Sequence, residues 1–463
     1  MKTRKKARKT TVGAIDPDVL AFTVGADPEL DLALVAADCI GTAAHVTMLS
    51  RMPVKPRLFG AAARARVVSA LVGIMGRAAK GKFAITAADQ DVHLAVERVL
   101  TKRLGALGKK VHTGRSRNDQ VAVDLRLYGK EQLFGTLDEV AALGNALLRQ
   151  AKKHARVPMV GRTHMQPAMP SSVGLWAAAH AESLLDDAAL LIDAYELNDR
   201  CPLGSAASYG VPLPLDPALT ARLLDFSGPH DTVLYANNAR GKIESVILQA
   251  LSQVMLSLSR LAQDVILFTM PEFGYFLLPA EYCTGSSIMP QKRNPDVLEL
   301  VRAKASTVLA CATAAVEIVK GQPSGYNRDL QEIKGQFMQG VSVTRASLRI
   351  LTRLIEGLQV DRKALRAGFA PEVFATDRAL ELVAQGVPFR DAYGQVKKEL
   401  GELAEKDPAR AVAAKRYPGA PGGLDFAAMA KRLKSVSRFV SEERRSYSAA
   451  VSKLLGVTYS VAD

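Results

Sequence analysis

The stretch GSSIMPQKRNPD, Gly285–Asp296, lies between two long proline-free runs. It opens on small residues and closes on an Asn-Pro pair that has the form of a helix start. Gly285 gives the backbone freedom, including access to positive φ. Asn294 is suited to cap a helix whose first residue is Pro295, with Asp296 in the first turn. A flexible loop followed by a capped helix accounts for those residues. It does not account for Ser286, Ser287 and Lys292 together. A serine hydroxyl is a poor base in water. It becomes one only where backbone N–H groups and a cation stabilise the alkoxide, and a loop that closes over a substrate supplies both.

Working outward, helical spacing dominates. Apolar residues recur three and four apart over about 119–155, where Val121, Leu125, Leu137, Val140 and Leu147 share related faces. Similar runs cover about 171–198, 230–270, 295–320 and 327–358. Five helices of this length side by side predict a bundle and an all-α fold. The run Val246–Leu261 is apolar nearly all round, which implies burial on several sides and helices from partner subunits. The breaks at 157–170, 201–217, 271–295 and 321–326 are rich in Pro and Gly, and the reactive side chains gather in them. Composition changes near Arg362. The expected division is 1–114, 115–361 and 362–463: an N-terminal helical unit, the central bundle and a smaller C-terminal unit.

The 463 residues carry 61 Lys and Arg against 46 Asp and Glu, a net charge of +15, and six of the first nine residues are basic. The segment reads as a solvated tail. No helix-turn-helix, zinc-finger or aromatic-basic pattern accompanies it, so nucleic acid is not an expected partner. A basic surface also draws small carboxylates toward a site. No apolar run of membrane-spanning length is read, nor a secretory h-region, so the expected location is the cytoplasm. Cys39, Cys201, Cys283 and Cys311 lie far apart with no CxxC, and the seven histidines form no HExxH; neither disulfides nor a metal site are expected. Gly76–Lys82 mimics a phosphate loop, but Phe83 stands where a hydroxyl is required.

GSSIMPQKRNPD resembles the signature loop of the fumarase/aspartase superfamily, whose members cleave C–N or C–O bonds and release fumarate. HTGRSRNDQVAVDLRLY (His112–Tyr128), YNRDLQEIK (Tyr326–Lys334) and ATDRALELVAQGVPFRDAY (Ala375–Tyr393) are similar to the argininosuccinate lyase family. The resemblance runs from about Asp38 to Tyr393. It implies a cofactor-free elimination of argininosuccinate to arginine and fumarate, as in arginine biosynthesis. It also implies a homotetramer built on a central bundle, in which three chains share each site.

The reaction takes a proton from the carbon beside a carboxylate, stabilises a dianionic intermediate and protonates a leaving nitrogen. By motif position, Ser286 matches the base, Lys292 the residue holding the carboxylate where charge develops, and Ser287 and Asn294 nearby ligands. Thr163, His164 and Gln166 match a second signature, with His164 in acid–base chemistry and Glu299 as its carboxylate partner. An assignment of His164 as base, with Ser286 only binding, stays open. Ser116, Arg117 and Asn118 precede a long helix whose N-terminus favours an anion. Asp91 and His93 match a substrate-contacting stretch. Tyr326, Gln331 and Lys334 match residues that bind substrate carboxyls and the amino-acid end, and Asp31 one that meets the arginine moiety.

The departures fall elsewhere. Arg162 and Pro167 replace an aromatic and an arginine. CPLGSAASYGVPLPLD (Cys201–Asp216) and ANNARGKIE (Ala236–Glu244) have drifted. A different N-succinyl amine is therefore the rival substrate. A non-catalytic, lens-crystallin-like structural protein is the rival of another class, against which Ser286, Lys292 and His164 stand.

Overall fold

A computed structural model describes residues 8–10, 13–86 and 88–461. The basic segment at 1–7 lies outside them. After two short helices, Pro17–Val24 and Asp27–Leu30, come helices α1 (Val35–Arg51), α2 (Ala61–Ala78) and α3 (Val92–Leu104). Gly76 to Ala78 belong to the last turn of α2, so the first half of the phosphate-loop mimic is helix and only 79–82 leave it.

Five long helices follow: α4 (Arg117–Lys153), α5 (Val173–Asn198), α6 (Lys242–Thr269), α7 (Asp296–Val319) and α8 (Ile333–Gly357). Each packs on the next, and α8 returns to α4, closing a bundle. The 37 residues of α4 reach about 55 Å at 1.5 Å per residue. The stripe Val121, Leu125, Leu137, Val140 and Leu147 is buried along it. Ser116 starts α4 through a capping box: its Oγ accepts from Asn118 N–H (3.2 Å), and Asp119 accepts from Ser116 N–H (2.9 Å).

Three details correct the expectations. The run 230–270 is two helices, Val233–Asn238 and α6, broken at Gly241 (φ +81). A Cβ there would lie 2.6 Å from Val319 and 2.7 Å from Ile333, so only glycine passes between α7 and α8. The break at 157–170 is a β-hairpin, β1 (Pro158–Thr163) with β2 (Gln166–Ser172). Asn294 does not cap α7: Pro295 holds the cap position with no side-chain bond. Asn294 instead exchanges backbone hydrogen bonds with Thr284 (2.8 and 3.1 Å), pinching the base of the loop. Gly285 has no positive φ.

Two stretches, Asp27–Arg51 and Lys242–Thr269, are apolar and long enough to cross a membrane by composition. The first is 83% buried within the protein, and the second forms the bundle's α6. In the second, 56% is buried. On the outside of α6 and α7, Leu256, Leu300 and Leu309 stay more than half exposed. After Arg362, Ala379, Leu382, Ala392 and Val396 make a small separate core. The last helix, α9 (Phe426–Leu455), returns to lie along α4.

Candidate active site

A cavity of about 110 Å³ opens where the start of α4, the start of α3 and the segment before α8 meet. Eight of the expected residues line it: Asp31, Asp91, His93, Arg117, Asn118, Tyr326, Gln331 and Lys334. Local structure explains the convergence. Asp91 caps α3 by accepting from Leu94 N–H (2.9 Å), and its other oxygen accepts from Arg117 (2.8 Å). That ion pair ties the first turns of α3 and α4 together. Ser116 is spent on the α4 cap and does not line the cavity.

Asp31 and Lys334 were expected to meet different ends of a substrate. In this chain they meet each other. Lys334 Nζ is buried, donates to Asp31 and lies 2.9 Å from Asp27, while Asp31 also accepts from Val92 N–H (3.0 Å). A lone ammonium buried this deeply is costly, and paired carboxylates offset the cost. Burial pushes the Asp27 carboxyl up, and the Lys334 charge opposes it. Gln331 is likewise engaged, donating to the Thr23 carbonyl (3.1 Å).

The second group sits at the tip of the hairpin. His164 (φ +52) and Met165 (φ +62) form a two-residue turn with both residues left-handed, a conformation that favours Asn-Gly. Holding it with bulky side chains costs of order 1–3 kcal/mol per residue. Arg162 supports the tip by donating to the Met165 carbonyl (3.1 Å) and stacking 4.7 Å from the Phe273 ring. Thr163, His164 and Gln166 are all exposed there.

The third group is the Gly285–Asp296 loop. Ser286 Oγ accepts from Ile288 N–H (3.3 Å) and Met289 N–H (3.1 Å). Ser287 and Lys292 are exposed, Asn294 is half-buried, and Glu299 projects from the first turn of α7. Among the described residues, no ion pair joins Glu299 to His164 within the chain. None of the hairpin or loop groups lines the 110 Å³ cavity. A larger cleft of about 1190 Å³, between the hairpin and the C-terminal helices, includes Thr163 alone of the expected residues. Most of its charges are paired with one another, Lys406 with Glu381 (2.5 Å), Lys415 with Asp377 (3.4 Å) and Arg410 with Asp407 (3.9 Å).

The profile of the Lyase family matches residues 43–310. An argininosuccinate lyase from Sorangium cellulosum is 46% identical over 421 residues, spanning 91% of this chain and 97% of that one. One from Parabacteroides distasonis is 39% identical over 93% of this chain and 95% of its own.

The chain belongs to the argininosuccinate lyase family.

Solved structures agree in fold. EDDS lyase in complex with formate superposes with a TM-score of 0.79 at 21% identity, covering 98% of each chain. A class II fumarase from Schistosoma mansoni gives 0.69 at 16%, covering 88% of this chain and 98% of its own. The all-α fold of this argininosuccinate lyase family member is thus that of fumarate-related lyases.

Sequence reasoning missed four polar residues lining the cavity: Asp27, Gln90, Arg240 and Arg328. Arg240 is the most telling. It is buried, gives Nη2 to the Leu330 carbonyl (3.2 Å), and leaves Nε and Nη1 without partners. Its guanidinium lies 5.6 Å from the Tyr326 ring. It stands in the drifted ANNARGKIE stretch, where a basic residue beside a backbone-breaking glycine was the available signal.

Behind the cavity, His93 Nδ1 lies 2.7 Å from Asp38 and 3.6 Å from Asp124, all buried. These three have metal-ligand chemistry. The 2.7 Å separation is a direct hydrogen bond, shorter than the roughly 3.3 Å between two ligands of a tetrahedral ion with bonds near 2 Å. Burial depresses the His93 pKa, but Asp38, through its hydrogen bond and charge, with Asp124 and Asp91, overcomes it and pushes it to about 9. Burial and the neighbouring Asp38 charge push Asp124 well up.

A pH prediction follows by linkage. A histidine raised from 6.5 to about 9 on folding stabilises the fold fully below pH 6.5 and loses that contribution as pH rises through 9. Chemical unfolding should show stability falling across this window by roughly 3 kcal/mol at most, from 1.36 kcal/mol per pKa unit. His93→Gln should flatten this fall; an equally steep fall in the variant assigns it to other groups.

Proposed function

We propose that this chain is a carbon–nitrogen lyase that converts argininosuccinate to arginine and fumarate, reversibly, in arginine biosynthesis. Identity of 46% across nearly the whole chain to an argininosuccinate lyase carries the reading. Ser286 takes the proton from the carbon beside the succinyl carboxylate. The two N–H groups already aimed at its Oγ support it, since they stabilise the alkoxide form. Lys292 meets the carboxylate on which charge accumulates, with Ser287 and Asn294 beside it. The C–N bond then breaks, and His164, oriented by Glu299, gives its proton to the departing nitrogen. The carbon chain leaves as fumarate.

Asp91, His93, Arg117, Asn118, Tyr326, Gln331, Lys334 and Arg240 hold the substrate's carboxylates and amino-acid end, with Thr163 and Gln166 beside His164 and Ser116 fixing the Arg117–Asn118 turn. The mixed charge of the cavity suits a zwitterion. Because Lys334 occupies Asp31, we assign Asp31 to fixing Lys334 and Asp27 as the second carboxylate there, in place of direct contact with the arginine moiety.

Each complete site is assembled in a homotetramer from the Asn118, His164 and Ser286 regions of three chains. Exposed Leu256, Leu300 and Leu309 on the bundle's outside support burial by partner helices. Units 1–114, 115–361 and 362–463 are the working domains. The enzyme acts in the cytoplasm, consistent with four free cysteines. The test is release of fumarate and arginine in equal amounts from argininosuccinate, against other N-succinyl amines as competing substrates.

A further inference from the structure

The His93 ring has two nitrogens with different surroundings. Nδ1 faces Asp38 at 2.7 Å. Nε2 has no partner among the described residues, and the residue lines the 110 Å³ cavity. We propose that Asp38 is a positioning residue for the elimination, acting through His93 so that Nε2–H faces the cavity and donates to a carboxylate of the substrate. The inference rests on the reading of this cavity as the substrate site.

The chemistry decides which form of the ring serves. Asp38 can only accept, so Nδ1 carries a proton. A neutral ring would then present a lone pair at Nε2 and repel a carboxylate. A cationic ring presents a second N–H and a charge. The surroundings favour the cation. Asp38 from α1, Asp124 from α4 and Asp91 from the cap of α3 all act on it, against His112 from the segment before α4, where Arg115 faces Asp38. These acids offset the burial penalty and hold the ring charged until about pH 9. Solvent has little room to take over this task. The void behind the ring, among Asp38, Thr42, Arg115 and Gln120, measures about 10 Å³, room for one water at most. Asp38 is itself steadied from α4, where Gln120 Nε2 lies 3.5 Å away. Asp124 lies farther from Nδ1, at 3.6 Å, and has both oxygens without a hydrogen-bond partner, so it adds charge but does not share the orienting task.

Fumarate is the probe, used both as a product inhibitor and as a stabiliser against thermal unfolding of the full-length enzyme. Asp38→Asn should weaken fumarate binding by about ten- to a hundredfold, the size of a lost charge-assisted hydrogen bond. In the wild type, fumarate affinity should hold through neutral pH and fall as pH rises through about 9. In Asp38→Asn that fall should move to lower pH, because burial then dominates the ring. Asp124→Asn should move it far less. A merely structural role for Asp38 would lower the melting temperature without moving the pH at which affinity is lost. A folded Asp38→Asn enzyme with wild-type fumarate affinity and pH profile overturns the proposal. If Asp38→Asn does not fold, the comparison is wild type against His93→Gln: the fall near pH 9 must be present in the first and absent in the second, and a fall common to both overturns it. If argininosuccinate gives no fumarate, the functional reading fails on its own. Fumarate protection still reports on Asp38, and failure to bind fumarate at any pH overturns both.

Discussion

Ser286→Ala should lower kcat by about a thousandfold or more, within the range for losing an acid–base group, while leaving fumarate binding within a few-fold of wild type. The variant keeps the loop. Thr284 and Asn294 still pinch its base through backbone hydrogen bonds, which no side chain supplies. What disappears is the Oγ on which two N–H groups converge. Those N–H groups, left unpaired on an exposed loop, can be solvated, so the stability loss should be small. Progress curves at saturating argininosuccinate, with thermal melts alongside, separate the effects. A kcat within tenfold of wild type would move the base to His164 and leave Ser286 a ligand.

A second large effect should appear on mixing two inactive proteins. His164→Asn and Ser286→Ala should each be nearly inactive alone. In one chain the hairpin tip, the loop and the 110 Å³ cavity are separate, and Glu299 does not reach His164. A site that draws these parts from different chains can still be completed in a mixed tetramer. Random assembly from equal parts leaves about one site in four with both intact groups, so roughly a quarter of wild-type activity should return after subunit exchange. Light scattering should report about four chains in the active species. If the mixed tetramers show only the sum of the separate residual activities, the sites lie within single chains.

Much of this architecture is legible in the residues because long helices announce themselves. The stripe from Val121 to Leu147 locates α4 to within two residues at each end, and the capping box at Ser116 marks its start. The hairpin at 158–172 is not legible in the same way. Its turn is His-Met, which carries no turn signature, and tertiary support from Arg162 on Phe273 holds it. The break at Gly241 is a matter of clearance between α7 and α8, which periodicity along one helix does not report. Motif spacing brought eight side chains to one cavity. It could not foresee that Asp31 and Lys334 neutralise each other, since they are 303 residues apart and meet only when the segment before α1 crosses the start of α8. Arg240 escaped notice for a related reason: a single buried guanidinium has no periodicity and no motif.

The two stretches read as drifted in the sequence, Cys201–Asp216 and Ala236–Glu244, both reach the surroundings of the 110 Å³ cavity. Ala206 and Ser208 in the Cys201–Asp216 stretch take positive φ, and the Asp119 carboxylate accepts from Ala206 N–H (3.0 Å). That stretch is therefore tied to the first turn of α4, next to Arg117 and Asn118. A change of leaving amine would be accommodated there and around Arg240, while the loops proposed to make fumarate stayed as they are.

The most direct measurement is to give the purified full-length protein argininosuccinate, follow fumarate by its ultraviolet absorbance and quantify arginine in the same sample. Our account predicts equal amounts of both, abolished by Ser286→Ala. Fumarate released only from another N-succinyl amine, or no fumarate from a folded tetramer, would contradict it.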